Sequence, residues 1–422
     1  MGTKITVVGG GSTYTPELVD GFVRRSDRLP IDELVLLDTD ADRLDIVGGL
    51  AQRMLDRQDW TGRLRLTGDR DAALDGADFV LFQLRVGGQA ARLIDETVPL
   101  EFGVIGQETT GAGGFAKALR TVPVVLELAE LAARRAAPDA WIVDFTNPVG
   151  IVTQALIDDG HRAIGLCNVA INLQRSMATE FEVEPERVAL EHVGLNHLSW
   201  ERAVRVDGVD RLPELLERES EKLAEDFRLP LDLFRTIGAI PSYYLRYYYL
   251  TRTVLEEQRA GHTRAADVMD IEARLLELYK DQSLAEKPAL LDSRGGAFYS
   301  EAAAQLIASL HDGAGDVQVV DVRNEGAIPD LPDSAVVEIP ARIDRDGAHP
   351  LPLAPLAPEQ RGLVQVVKAY EELTVAAAKS GDRDVAVRAL TVNPLVGGDV
   401  ARPLLEAMLE AGRAHMGRFA PA

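Results

Sequence analysis

The first forty residues carry the pattern that most restricts the fold. A short apolar run, Ile5 to Val8, is followed at once by Gly9-Gly10-Gly11 and then by a helical pattern of apolar residues. A second apolar run, Leu34 to Leu37, ends in the acid Asp38. A strand, a glycine turn and a helix in this order form the phosphate-binding corner of dinucleotide-binding folds. The segment therefore predicts a parallel α/β sheet that holds a dinucleotide at its edge.

The match to the dinucleotide fingerprint is incomplete. Gly9 and Gly11 occupy the first two glycine positions, but Tyr14 stands where the third glycine is expected. Asp38 is suited to accept hydrogen bonds from the adenosine ribose, which favours NAD over NADP. We therefore expect Gly9, Gly11 and Asp38 to contact NAD.

Further apolar runs continue the sheet. They are Ala77–Leu84, Ala140–Phe145 and His161–Leu166, with helical patterns between them. Alternation of this kind predicts a doubly wound, largely parallel sheet of the Rossmann type. Ligands of such sheets bind beyond the carboxyl ends of the strands. Arg85, Asn147 and Cys167 follow the three runs, and the glycines after Arg85 permit close approach to a cofactor. Arg92 is expected further along the long connection that follows the first of these runs.

The pattern changes after about residue 170. Helices alternate there with strands. Val188–Trp200 reads as one strand region, and Val317–Arg323 and Ala335–Ile343 read as antiparallel strands. We predict an NAD-binding Rossmann-like domain over residues 1–170. An α+β domain is predicted over residues 171–422.

Composition excludes several classes of function. The net charge of −22 should repel nucleic acids and anionic membranes. We find no secretory signal at the N-terminus and no apolar stretch of about 18 residues. A single cysteine excludes an intramolecular disulfide framework and fits a reducing compartment. We expect a cytoplasmic protein without nucleic-acid or membrane partners.

That cysteine, Cys167, has two interpretations. Free cysteine is commonly a small buried apolar residue. A thiolate beside an imidazole, however, suits a transition metal. Two histidines compete for the second ligand, His192 and His197, and His197 is favoured because Asn196-His197 is a polar pair in an apolar run.

Several motifs together resemble glycoside hydrolase family 4. They are Gly9-Gly10-Gly11-Ser12-Thr13, Arg85-Val86-Gly87-Gly88, Gly106-Gln107-Glu108-Thr109-Thr110-Gly111, Thr146-Asn147-Pro148, Gly165-Leu166-Cys167-Asn168 and Gly194-Leu195-Asn196-His197. They occur in the family's order along essentially the whole chain. This NAD-dependent family is an exception to glycoside hydrolysis by two carboxylates.

The resemblance implies NAD, a divalent metal that is commonly Mn²⁺, and assembly as a homodimer or homotetramer. It assigns catalysis, metal binding and oligomerisation to the α+β domain over residues 171–422. The residues that it places in the site fall into four groups. The cofactor-binding residues are Gly9, Gly11, Ser12, Thr13, Asp38 and Arg85, the metal ligands are Cys167 and His197, the substrate-binding residues are Arg92, Asn147, Asn168 and Arg264, and the catalytic base is Tyr244. Tyr243 remains an alternative to Tyr244. Arg92 and Arg264 match positions that hold a sugar 6-phosphate.

The implied reaction is hydrolysis of a 6-phospho-β-glucoside, or of a phosphorylated disaccharide, by redox, elimination and addition. NAD takes a hydride from carbon 3, the base removes the proton at carbon 2, and the metal stabilises the enediolate. In the branch that acts on phospho-α-glucosides the residue after the metal cysteine is Asp. Asn168 in this chain favours β-linked substrates, and it leaves the acid for the leaving group unassigned.

Three alternatives remain at this stage. An NAD-dependent 2-hydroxy-acid dehydrogenase would share the N-terminal pattern but would need a His–Asp relay and no metal. A non-enzymatic dinucleotide sensor would not need Cys167 and His197 to converge. Another family 4 glycosidase, such as a phospho-α-glucosidase or an α-galactosidase, would share nearly all the motifs.

Overall fold

The computed structural model describes residues 2–295 and 298–419, and strands alternate with helices through its first half. The strands are β1 (Thr3–Val8), β2 (Ile31–Leu37), β3 (Arg63–Thr67), β4 (Phe79–Phe82), β5 (Trp141–Asp144), β6 (Ala163–Gly165), β7 (Val188–Leu195), β8 (Leu198–Val206), β9 (Val209–Asp210), β10 (Ile240–Pro241), β11 (Val317–Arg323), β12 (Val336–Asp344) and β13 (Gly347–Pro350).

The α-helices connect and cover these strands. They are α1 (Thr15–Val23), α2 (Ala41–Arg57), α3 (Arg70–Leu74), α4 (Gly88–Glu101), α5 (Gly111–Arg135), α6 (Val149–Asp158), α7 (Asn168–Glu180), α8 (Leu212–Asp226), α9 (Leu231–Ile237), α10 (Arg246–Tyr249), α11 (Thr251–Ala260), α12 (Arg264–Tyr279), α13 (Leu290–Arg294), α14 (Tyr299–Asp312), α15 (Pro358–Ser380), α16 (Arg383–Val392) and α17 (Ala401–Ala411). In the described ranges, none of them is both long and apolar enough to cross a bilayer.

The main sheet has the order β13-β12-β11-β6-β5-β4-β1-β2-β3. From β3 to β6 the strands are parallel, and their order is that of dinucleotide-binding Rossmann sheets. Helices cover both faces, which explains why most residues of β1 and β2 are buried. The predicted fold class, a Rossmann-like doubly wound α/β sheet with a C-terminal α+β part, is confirmed.

The second half of the chain adds three antiparallel strands to this sheet. β11 pairs with β6, β12 with β11, and β13 with β12. The predicted antiparallel strands around residues 317–343 are therefore confirmed. Ile5, Val320 and Leu404, from distant parts of the sequence, belong to one core. The division at residues 170 and 171 stays a prediction, since one sheet contains strands from both sides of it.

A smaller antiparallel sheet contains β10, β8 and β7, with β9 paired to β8. Its core lies between this sheet and helices α7 to α9, with Val204, Leu215 and Phe234 among its buried residues. We expected one strand region from Val188 to Trp200. The chain instead forms a hairpin that reverses at Asn196-His197, where His197 has a φ of 63°.

Two local expectations were wrong. β3 was not predicted, because its sequence Arg63-Leu64-Arg65-Leu66-Thr67 alternates charged and apolar residues as an edge strand does. Arg92 was expected in a long connection, but it is buried within α4. The apolar face of α4 was not recognised in the sequence, because glycines precede the helix and Pro99 lies near its end.

Gly165 should be intolerant of a side chain. Gly165 lies in β6, between β5 and β11. A Cβ added there would overlap Thr153 Oγ1 of α6 and lie 2.8 Å from Asp321 Cβ of β11. We expect Gly165→Ala to lower the free energy of unfolding by about 1–3 kcal/mol, as overpacked cores do. Urea denaturation followed by circular dichroism measures this change.

Gly362→Ala is the matched control. Gly362 lies in α15 with no atom within 4 Å of an added Cβ. Alanine there should raise the free energy of unfolding by about 0.5–1 kcal/mol. Equal stabilities of the two variants would contradict this description of the packing around β6.

Candidate active site

A cleft of about 1,100 Å³ lies at the carboxyl ends of the parallel strands. Most of the residues predicted from the sequence to form the site line this cleft. They are Gly9, Gly11, Ser12, Asp38, Arg85, Arg92, Asn147, Asn168, His197, Tyr244 and Arg264. Thr13 and Cys167 are buried just behind its wall. One cavity therefore joins the predicted cofactor, metal and substrate residues.

The glycine loop between β1 and α1 forms one end of the cleft. Gly9 has a φ of 92°, and a Cβ there would lie 2.8 Å from Gln83 O. The amide of Gly11 donates to Asp38 Oδ2 at 2.8 Å. Asp38 therefore lies against the glycine loop, at the position of the acid in a dinucleotide site. Bare backbone and a carboxylate at this position fit the pyrophosphate and ribose of NAD.

Cys167 and His197 lie side by side deeper in the cleft. Cys167 follows β6 and is the residue before α7, and His197 lies at the tip of the β7–β8 hairpin. Their Sγ and Nε2 atoms are 3.6 Å apart, and Thr109 Oγ1 lies 3.0 Å from Nδ1 of His197. The distance suits two ligands of one metal ion.

Electrostatics favour a neutral imidazole at this position. Burial lowers the pKa of His197 to about 4, so the ring is uncharged near neutral pH, as a metal ligand must be. Burial, together with the charge of Glu338, raises the pKa of the Cys167 thiol. A divalent cation would reverse this effect, since a coordinating thiol is deprotonated.

These two residues fit a divalent metal with open coordination positions. Across the described ranges, no group of three or more His, Cys, Asp and Glu residues is arranged to hold a metal ion. Catalytic metal sites leave positions for substrate and water, whereas structural sites are closed. Asn147 Oδ1 is buried nearby at the end of β5, without a hydrogen-bond partner among the described residues.

His192, the competing histidine, lies elsewhere. Its Nδ1 is 2.6 Å from Glu201 Oε1, and its Nε2 is 2.9 Å from Glu338 Oε2. Burial alone would lower the pKa of His192, but these two carboxylates raise it to about 10. Asn196 Nδ2 also donates to Glu338 at 3.0 Å. His192 therefore joins the hairpin to β12 through buried ion pairs.

Tyr244 stacks on His197. The ring centroids are 3.6 Å apart and the planes differ by 7°. Tyr243 meets Tyr244 edge to face at 6.2 Å and lies against Arg246. Burial raises the pKa of the Tyr244 phenol well above its usual value, and the nearby charge of Arg92 opposes this. Of the two tyrosines, Tyr244 is the one in contact with a candidate metal ligand.

A buried cluster of charges adjoins these aromatic rings. The carboxylate of Glu108 forms ion pairs with Arg85, with Lys117 Nζ at 2.8 Å and with Arg92 Nη2 at 3.3 Å. Arg92 Nε also donates to Glu96 at 2.7 Å. Burial opposes ionisation of Glu108, but the three cations hold its pKa well below the usual value. Burial lowers the pKa of Lys117 to about 7. Arg85 and Arg92 therefore balance Glu108 and Glu96 in charge, and Lys117 adds one positive charge when it is protonated.

Arg264 approaches this cluster from the second half of the chain. It begins α12, is exposed, and donates from Nη2 to the carbonyls of Ser293 and Arg294 at 3.0 and 3.2 Å. The following amide, Ala265 N, donates to Glu96 at 2.7 Å. Glu96 therefore bridges Arg92 and the start of α12, which brings the two predicted phosphate-binding arginines to one part of the cleft.

The sequence did not indicate every residue of this site. Lys117 lies on the buried face of α5 and Tyr299 begins α14, and both line the cleft. A lysine nine residues after Glu108, in a helix otherwise apolar at its start, was a usable signal for Lys117. No local pattern in the sequence around Tyr299 singled out this tyrosine.

Comparisons with known proteins agree with this arrangement. Residues 4–183 match the model "Family 4 glycosyl hydrolase", and residues 192–396 match the model of that family's C-terminal domain. A probable 6-phospho-β-glucosidase of Bacillus subtilis is 42% identical over 434 residues, covering 99% of this chain and 98% of the relative. A phospho-α-glucosidase of Clostridium acetobutylicum is 29% identical over 445 residues, covering 98% of each chain.

Solved structures extend the likeness to three dimensions. The 6-phospho-β-glucosidase of Thermotoga maritima, crystallised with NAD and glucose 6-phosphate, superposes with a TM-score of 0.92 at 37% identity, covering 98% of this chain and 99% of the other. A further structure of that enzyme holds manganese, NAD⁺ and glucose 6-phosphate, with a TM-score of 0.91 at 36% identity. With both halves of the sequence matched and the fold shared throughout, this chain belongs to glycosyl hydrolase family 4.

Proposed function

We propose that the protein hydrolyses 6-phospho-β-glucosides to glucose 6-phosphate and an aglycone, using NAD and a divalent metal, Mn²⁺. The observation that carries this proposal is the meeting of two unlike sites in one cleft. The glycine loop with Asp38 lies at one end, and the Cys167–His197 pair lies at the other. An ordinary glycosidase with two carboxylates would need neither of them.

The cofactors supply part of the chemistry, and residues of the chain hold them in place. When bound, NAD supplies a hydride acceptor for carbon 3 of the sugar, and the metal supplies a Lewis acid for the neighbouring sugar oxygens. Gly9, Gly11, Ser12, Thr13, Asp38 and Arg85 would hold the dinucleotide. Cys167 and His197 would hold the metal. Cys167 and His197 are both buried, which limits the access of water to a metal held between them.

Tyr244 is the proposed base that removes the proton at carbon 2. Its ring is fixed by stacking on His197, so the phenol is presented beside the metal pair. A phenol whose pKa is raised by burial needs nearby positive charge to act near neutral pH. Arg92 contributes part of that charge. The residue that protonates the leaving group remains unassigned.

Arg92 and Arg264 are the proposed phosphate-binding residues, with Asn147 and Asn168 as further sugar contacts. A protein with a net charge of −22 needs local positive charge to attract a phosphorylated sugar. Exposed Arg264, together with Lys117 in its protonated form beside Glu108, supplies it. This local charge supports a phosphorylated disaccharide or glucoside over a neutral one.

The β linkage rests on Asn168 and on the relatives. Asn168 begins α7 directly after Cys167 and lines the cleft. The β-specific relatives are also more similar than the α-specific one. No observation favours a dehydrogenase or a sensor. We further propose a cytoplasmic location, where phosphorylated sugars and reduced thiols persist, and a homodimer or homotetramer.

The first prediction concerns cofactor dependence. The purified protein should release nitrophenol from p-nitrophenyl 6-phospho-β-glucoside only when both NAD⁺ and Mn²⁺ are present, since each supplies a different part of the chemistry. Substrate carrying deuterium at carbon 2 or 3 should react more slowly because those C–H bonds break. Full activity after removal of both cofactors would exclude the redox mechanism, and a preference for the α-anomer would exclude the β assignment.

The second prediction separates the two candidate tyrosines. Tyr244→Phe removes the proposed base and should lower kcat about 10²- to 10⁴-fold. Tyr243→Phe should change kcat only a few-fold, because its ring does not contact His197. Incorporation of solvent deuterium at carbon 2 of the product, followed by NMR, reports the same step independently. A larger loss in Tyr243→Phe on both measurements would reverse the assignment.

The third prediction concerns the phosphate. Arg264→Ala removes one charge-assisted contact and should raise KM for the phosphorylated substrate about 10- to 100-fold. Arg259→Ala is the matched control, since Arg259 is also exposed and donates to a backbone carbonyl, Leu100 O, at 3.0 Å, but does not line the cleft. Equal KM values for the two variants would remove Arg264 from the phosphate site.

A further inference from the structure

Two arginines from different parts of the chain lie against the glycine loop, and neither has a role in the chemistry proposed above. Arg43 is in the first turn of α2, and its Nε donates to Gly11 O at 3.2 Å. Arg294 is the last residue of α13, and its Cζ lies 5.8 Å from the ring centroid of Tyr14, the residue before α1. Both arginines line the cleft. One guanidinium is therefore beside the glycines, and the other is beside the start of the helix that follows them.

Glu272, a buried residue of α12, holds both arginines. Its Oε1 accepts from Arg294 Nη2 at 2.9 Å and from Arg294 Nε at 3.2 Å, and its Oε2 lies 3.5 Å from Arg43 Nη2. Gln89 of α4 also donates to Oε1, at 2.9 Å. Burial opposes ionisation of Glu272, but Arg294 and Arg43 hold its pKa below the usual value. Ion pairing with one buried carboxylate fixes the positions of both guanidinium groups.

Apolar packing brings α12 and α13, from the second half of the chain, to the cofactor end of the cleft. These helices contact α2 through a buried apolar cluster that includes Val47, Leu275 and Leu291. The hydroxyl of Tyr279, at the end of α12, also donates to Thr13 O in the glycine loop at 2.7 Å. Helices α12 and α13 therefore form a wall that is packed against the dinucleotide-binding half.

The position of the two guanidinium groups suits the pyrophosphate of a dinucleotide. In dinucleotide-binding folds the pyrophosphate lies at the N-terminus of the helix after the glycine loop, which is α1 in this chain. Each phosphate of that group carries a negative charge, and guanidinium groups bind phosphate oxygens through paired, charge-assisted hydrogen bonds. Within the described part of the chain, no hydrogen bond engages Nη1 of Arg43 or of Arg294. Each arginine therefore keeps donors for a phosphate oxygen.

We propose that Arg43 and Arg294, held by Glu272, bind the pyrophosphate of NAD. The inference rests on the proposed function, because it assigns the glycine loop to the dinucleotide. It adds two charged side chains to the backbone amides of the loop. One of them, Arg294, lies outside the predicted NAD-binding domain of residues 1–170. The cofactor site is then complete only when α12 and α13 pack against the first half of the chain.

Binding of ADP-ribose and of adenosine tests the proposal without turnover. ADP-ribose carries the pyrophosphate of NAD, whereas adenosine lacks it, and each is titrated by calorimetry into the full-length protein without added metal. Arg294→Gln and Arg43→Gln should each weaken ADP-ribose binding about 10- to 100-fold, since a charge-assisted hydrogen bond is lost. Adenosine binding should stay unchanged in both variants. Arg294→Lys should lose less affinity than Arg294→Gln, because lysine keeps the charge but not the paired donors.

Arg53→Gln is the matched control. Arg53 of α2 donates to Leu284 O and Tyr279 O at 2.7 and 2.8 Å, so it also joins α2 to the wall, but it does not line the cleft. This variant should bind both ligands as the unaltered protein does, and equal losses of ADP-ribose affinity in Arg53→Gln and Arg294→Gln would overturn the proposal.

Two further outcomes would contradict the inference. An arginine variant that keeps its affinity for ADP-ribose, or that weakens adenosine binding by the same factor, would remove that arginine from the pyrophosphate site. Absence of ADP-ribose binding in the unaltered protein would overturn the dinucleotide site itself, and the inference with it. The hydrolysis assay with NAD⁺ and Mn²⁺ reports on the proposed function separately, because it uses the unaltered protein.

Discussion

The structure depends on where a parallel sheet that is buried on both faces can place its polar side chains. Helices cover both sides of β1 to β6, so a polar side chain inside a strand would lose its hydration. Polar residues are therefore concentrated where each strand ends. Parallel strands end at the same edge, and the loops after β1, β2, β4, β5 and β6 meet there. The cleft is the consequence of this arrangement, and residues far apart in sequence share it.

Burial of charge is the second constraint on the site. Glu108 is ionised in a dry environment only because several cations surround it, and each of those cations depends on Glu108 in turn. Removing one member of such a cluster leaves an uncompensated charge, which costs more than the pair contributes. The cluster is therefore an all-or-none feature. It also keeps two arginines and a lysine at the cleft of a protein whose overall charge is strongly negative.

The sequence predicted those features that short-range patterns determine. Apolar runs indicated the strands, and Gly9, Gly11 and Asp38 indicated the dinucleotide end of the cleft because turn geometry and strand ends are local properties. Arg92 was placed in a loop and β3 was not recognised, since Pro99 and alternating charges obscure their local patterns. Lys117 and Tyr299 were missed for another reason. Their significance lies in partners on distant elements, which no local pattern encodes.

The edge of β6 has a consequence for how the chain folds while it is being synthesised. Its hydrogen-bonding partner on that side is β11, about 150 residues later in the sequence. Until that segment leaves the ribosome, the growing sheet presents an unpaired strand next to Cys167. Open strand edges can pair with other chains and lead to aggregation. Completion of the sheet is thus a late event, and the nascent chain exposes this edge for a long interval of its synthesis.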